Sequence, residues 1–116
     1  MKASLRYFTS SDLDIETEIP DNPGDFMLLI RAVVGPDGDR GEESFDVEVC
    51  TPRWLARQVR GGPVVGRHLL IVDHYDIDEI TGFLRRLIES VAAATWGEVA
   101  ERVGRIGLWE FEDYRP

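Results

Sequence analysis

The stretch H-L-L-I-V-D-H-Y-D, residues 68–76, holds both histidines of the chain and two of its aspartates. Imidazole nitrogen and carboxylate oxygen are the ligands that zinc and non-haem iron take, so His68, Asp73 and His74 would be the residues of a small metal-dependent hydrolase. Six positions separate the histidines, a strand and its exit lie between them, and the sequence has no third histidine to complete a set. Polar groups at a strand end, with Asp76 capping a helix, account for the same residues. Cys50 could pair with a histidine as a nucleophile. No cysteine-enzyme motif surrounds it, and its alternation phase sets it opposite Phe45, Val47 and Val49, as a small residue packed under a short helix. With one cysteine, an internal disulfide and a cysteine-based zinc cluster are both excluded. The 22 Asp and Glu residues would supply a glycosidase-like carboxylate pair by chance on almost any surface, so such a pair carries no signal. The glycines of G-P-D-G-D-R-G (35–41) have no Lys-Ser or Lys-Thr ending and no helix start behind them, so they form no phosphate loop. The residues therefore expect no catalytic set, no metal and no cofactor, and the chain reads as a binding protein.

Charge points the same way. Thirteen Lys and Arg against 22 Asp and Glu give a net charge of −9 over 116 residues. Asp12, Asp14, Glu16, Glu18, Asp21 and Asp25 fall in one stretch without a base. Such a chain repels a phosphate backbone, so nucleic acid is not an expected partner. It attracts a basic protein, or it simply stays soluble. No apolar run approaches the roughly 20 residues of a membrane helix, so no membrane partner is expected. The N-terminus M-K-A-S-L-R-Y-F has no secretory pattern, and with a lone cysteine this leads to an expected cytoplasmic location.

The elements that must position these groups are legible in outline. The length suits one domain over residues 1–116. Ala3–Thr9 reads as a strand. Leu13, Ile15, Thr17 and Ile19 alternate with acids, as in a charged edge strand, before Pro20, Pro23 and Gly24 break the pattern. Phe26–Val34 predicts a central strand buried on much of both faces, and Phe45–Cys50 alternates cleanly, so the two predict an antiparallel hairpin with a glycine-rich loop. Thr51 and Pro52 start a short helix that carries Trp54 on an apolar face. His68–Val72 is a further strand. Asp76 and Glu79 cap a long helix whose apolar stripe is Ile77, Ile80, Leu84, Leu87, Ile88 and Val91, widened by Phe83, and Gly82 would mark a close packing point. Thr95 and Glu98 cap a second helix with Trp96, Val99, Val103 and Ile106 inside. The chain closes on G-L-W-E-F-E-D-Y-R-P (107–116), a strand with Trp109, Phe111 and Asp113 on one side and Glu110, Glu112 and Tyr114 on the other. The fold class is α+β: a mostly antiparallel sheet of about five strands, two main helices packed on one face, and one short helix.

Three segments, F-D-V-E-V-C-T-P-R-W-L (45–55), T-W-G-E-V-A-E-R-V (95–103) and W-E-F-E-D-Y (109–114), resemble in their order and spacing family eight of the bacterial immunity proteins of polymorphic toxin systems. The resemblance runs from around position 20 to the end. It implies a non-enzymatic, cytoplasmic inhibitor that binds and neutralises a cognate toxin domain. It assigns no binding residue and no toxin chemistry. Charge makes a basic nuclease the natural toxin class, because nuclease clefts are lined for phosphate and an acidic protein can occupy them. If the closing strand lies beside Phe45–Cys50, then Asp46, Glu48, Glu110, Glu112 and Tyr114 share an outer sheet face, with Asp12, Asp14, Glu16 and Glu18 nearby. That surface is the candidate docking site. The alternatives are an acidic accessory or regulatory subunit of another cytoplasmic complex and, further off, the metal-dependent hydrolase. An exposed sheet edge would permit a homodimer, and nothing in the sequence demands one.

Overall fold

In a computed structural model that describes residues 1–112, the chain forms one mixed sheet with three helices. In chain order the elements are β1 (Ala3–Thr9), β2 (Met27–Pro36), β3 (Glu43–Cys50), α1 (Pro52–Arg60), β4 (Leu69–Ile71), α2 (Ile77–Glu89), α3 (Trp96–Val103) and β5 (Leu108–Trp109). The spatial order is β1-β2-β3-β4, and β5 also pairs with β3. Every pairing is antiparallel except β3 with β4. That exception follows from α1, since a helical crossover is what joins parallel neighbours. The α+β class and its mostly antiparallel sheet are as the sequence predicts. Among the described residues no helix is long and apolar enough to cross a membrane.

Strand alternation builds the core. Leu28, Ile30, Ala32 and Val34 of β2 and Phe45, Val47 and Val49 of β3 point to one face and are fully buried. Ile80, Leu84 and Ile88 of α2 and Val99, Ala100 and Val103 of α3 join them in a single cluster. Both helices start on the predicted caps: Asp76 accepts from the Glu79 N–H and Thr95 from the Glu98 N–H, each at 3.2 Å. Gly107 lets the chain cross from α3 to β5, because a Cβ there would sit 3.1 Å from both Phe45 Cβ and Val47 Cγ2.

Several expectations fail for local reasons. The acidic stretch is no edge strand. The Asp14 carbonyl accepts from the N–H groups of Thr17 and Glu18, and the Asp14 carboxylate accepts from the Glu16 N–H, so the chain folds into turns. Asp side chains compete for backbone donors in this way and displace ladder pairing. Leu13 and Ile15 still pack on the core from those turns, while Ile19 is exposed. Thr51 precedes α1 without capping it with its side chain, because its hydroxyl is taken by the Phe26 N–H at 3.1 Å. No residue of α1 is fully buried, and Trp54 is only half-buried. Phe83 and Leu87 lie outside the core on the exposed flank of α2. Beside Gly82 the nearest outside atom is Arg86 Nη1 of the same helix, so no second element packs there. The closing strand is two residues long, and the chain turns at once, with the Glu112 N–H donating to the Trp109 carbonyl. Asp113 and Tyr114 lie outside the described residues.

Candidate functional site

The face of the sheet opposite the core is ordered in cross-strand rows. The β1–β2–β3–β5 registers align Thr9, Arg31, Asp46 and Leu108 in one row. The row on one side runs through Tyr7, Val33 and Ser44 to Glu110, whose N–H donates to the Ser44 carbonyl. The row on the other side joins Leu29, Glu48 and Leu69. β1 has ended by that point, and the Asp12 carboxylate takes its place by accepting the Leu29 N–H at 2.6 Å.

Arg31 is the centre of this face. Its guanidinium grips Asp46 with two hydrogen bonds, of 2.8 and 3.1 Å. The Asp46 hydrogen bond and charge hold the Arg31 pKa above its ordinary value, with smaller contributions from Glu110 and Tyr7, and partial burial works against them. Three residues, from two strands and the turn after β5, thus surround one cation, and acid outnumbers base. Tyr7 and Leu108 add half-exposed apolar surface to the same rows. Backbone ladders fix these positions, which is the property a docking face needs to limit the ordering cost of binding.

Of the nine acidic and phenolic residues expected to bind, the structure gathers Asp46, Glu48 and Glu110 on this face and puts Asp12 at its margin. The others serve elsewhere. Asp14 and Glu18 close a turn on each other, with Glu18 Oε1 accepting from the Asp14 N–H at 2.9 Å, and exposed Glu16 sits inside that turn. Glu112 faces Arg67, 2.6 Å away, rather than joining Glu110. Tyr114 lies outside the described residues. Sequence reasoning missed Arg31, Tyr7 and Leu108. Arg31 is the lone charge in the run F-M-L-L-I-R-A-V-V, and hairpin pairing of that run with Phe45–Cys50 would have set it opposite an acid.

The histidines do not come together as a metal pair. His68 holds a left-handed backbone, φ 65°, and its ring Nε2 lies 2.8 Å from the Gly104 carbonyl, pinning the entry to β4 against the end of α3. His74, Asp76 and Glu79 bring ligand atoms within 4.8 Å of one another, all on exposed side chains, but Asp76 is already the α2 cap. Cys50 is fully buried, and burial followed by the Glu48 charge raises its thiol pKa, which keeps it from acting as a thiolate nucleophile. Trp109 stacks on Phe45 on the core side, with ring centroids 6.4 Å apart, so it is not offered to a partner.

No curated protein and no solved structure matches the chain. A protein-family model does, over residues 3–114, and the chain therefore belongs to the immunity protein 8 family, whose members are non-catalytic inhibitors that bind and neutralise a cognate toxin.

Proposed function

We propose that this chain, as one domain over residues 1–116, neutralises a basic nuclease toxin in the cytoplasm by laying the outer face of its sheet over the toxin's phosphate-binding cleft. The observation that carries the reading is the row geometry around Arg31. Asp46 and Glu48 stand on β3, and Glu110 stands in the turn after β5, where its carboxylate accepts from the Ser44 N–H at 3.1 Å, in a chain of net charge −9. Carboxylates so fixed mimic a short run of phosphates, and opposite charge raises the rate of capture. Arg31 gives the face a cation at its centre, which would orient the partner by pairing with one of its acids. Asp12, Asp14, Glu16 and Glu18 surround one edge and add long-range attraction.

The test is to mix the chain with the toxin domain encoded beside it and follow binding by calorimetry at two salt concentrations. A dissociation constant of about 1 nM or below, weakening as salt rises, is expected, together with loss of nucleic-acid cleavage at equimolar inhibitor. An adjacent toxin that is not a nuclease would remove the proposed target while leaving the family function in place. No complex with any adjacent gene product would remove both.

A further inference from the structure

We infer that the free edge of β4, with the groove between β4 and α2, takes up an extended segment of the toxin that carries apolar side chains beside a carboxylate. This rests on the toxin-binding reading and adds a second place of contact, away from the acidic face.

The backbone comes first. β4 bonds to β3 through the His68 carbonyl and the Val72 N–H, which pair with Glu48 and Cys50 at 2.9 and 2.8 Å. Alternate residues of a parallel strand face alternate sides, so the N–H and C=O of Ile71 point away from β3. Among the described residues no strand pairs on that side. An open edge carrying exposed Ile71 invites an added strand, and it lacks the lysines and prolines that usually blunt such edges.

The groove supplies side-chain pockets. Two cavities, of about 410 and 350 Å³, lie between β4 and α2 and share Leu70 and Phe83 as walls. Phe83 is 44% exposed and stands between them as a ridge. Side chains on one face of a strand repeat every roughly 6.5–7 Å. Two same-face residues of an added strand can therefore enter on either side of the Phe83 ring. The larger cavity reaches down to Val47 and Leu84 of the core, so it is deep enough to hold an anchor side chain.

Charge selects the occupant. Among the described residues the charged walls of the larger cavity are Arg67 and Arg105 with no carboxylate, whereas Asp73, Glu79 and Arg86 line the smaller one, so the cationic end of the groove is the larger cavity. Arg67 already holds Glu112, which leaves Arg105 to meet an incoming carboxylate. A second copy of this chain is a poor occupant, because each copy carries a net charge of −9 and the two repel.

The experiment uses the full chain and the toxin domain encoded beside it, with calorimetry for affinity and thermal melts for folding. Ile71→Pro removes the outward N–H, which β4 does not use for its own ladder. Phe83→Glu spoils the ridge, and Arg105→Glu removes the cation. Each is expected to weaken binding at least tenfold with the melting temperature held. Arg105→Glu decides most, since it makes the chain more acidic. Long-range attraction to a basic toxin would then grow, so a loss can come only from the groove. Tight binding by wild type and by all three variants overturns the groove and leaves the toxin reading standing, as does tighter binding by Arg105→Glu. Absence of binding by wild type overturns both. A wild-type homodimer that Ile71→Pro dissociates overturns the inference by making a second copy the occupant. If Ile71→Pro fails to fold, the other two variants decide.

Discussion

Phe45 and Asp46 are neighbours in the chain and belong to different worlds. Phe45 lies on the core face of β3, 1% exposed, stacked on Trp109 and surrounded by the apolar residues of α2 and α3. Asp46 lies on the outer face, gripping a half-exposed Arg31 in view of solvent. Burial of apolar area is worth roughly 25 cal/mol per Å². An exposed ion pair is worth about 0–1 kcal/mol. The two faces of one strand therefore divide the work. The inner face fixes where β5 ends, and hence where Glu110 stands. The outer face is nearly free, in energetic terms, to be shaped for a partner.

The sharpest way to break this division is Phe45→Ala. Removing a fully buried ring should cost about 3–5 kcal/mol in urea unfolding. It also removes the stacking partner of Trp109, which the register places directly opposite. β5 has two residues, held besides this stack by the paired hydrogen bonds of Glu110 with Ser44 and by the Arg67–Glu112 pair, so toxin affinity should fall in part along with stability. Full affinity in a folded Phe45→Ala protein would mean that Glu110 does not depend on the core for its position.

The converse change is Glu48→Lys with Glu110→Lys. Neither side chain is in the core, but the Glu110 carboxylate accepts from the Ser44 N–H, so the unfolding free energy should fall by about 1–2 kcal/mol. Affinity for a basic toxin should fall roughly ten- to a hundredfold, about 1.4–2.7 kcal/mol, mostly in the association rate, with a flatter salt dependence. Unchanged association kinetics would put the docking surface somewhere else on the molecule.

How far the sequence reveals all this depends on what each residue answers to. Residues governed by burial were legible: the alternation of Phe45–Cys50, the β2–β3 hairpin, and the α2 and α3 caps all appear as expected, because a period and a cap are local signals. The stretch 13–19 was misread because its alternation mimics a strand, while its Asp and Glu side chains bind nearby backbone donors and close turns instead. On the candidate face, the positions of Asp46, Glu48 and Glu110 were legible because strand phase sets their side of the sheet. Arg31 was missed because its meaning comes from the strand opposite, and no single segment shows that. Glu112 was assigned to the wrong place because β5 stops after Trp109.

Asp12 separates charge from architecture within the acidic stretch. Its carboxylate stands in for the missing end of β1 by accepting from Leu29. Asp12→Ala should cost about 1–2 kcal/mol, since it removes a charged acceptor from a strand donor. Asp12→Asn keeps an acceptor oxygen and should restore most of that stability while losing the same unit of charge. Equal stability losses in the two variants would show that the charge, rather than the hydrogen bond, matters at this position.

The smallest stability effect belongs to Asp46→Ala. The pair it breaks is exposed on the Arg31 side, so unfolding should shift by less than about 1 kcal/mol. Binding is a different matter. Without Asp46, the guanidinium at the centre of the face loses the group that chiefly holds its charge in place, and among the described residues Glu110 and Tyr7 remain to act on it. A cation then stands where a basic cleft would approach, and affinity should fall more than for Glu16→Ala, which removes the same charge from an exposed turn. If the two variants weaken binding equally, total charge governs capture and the rows around Arg31 contribute no geometry. If Asp46→Ala weakens it more while leaving the fold almost untouched, the outer face of β3 is selected for recognition just as its inner face is selected for packing.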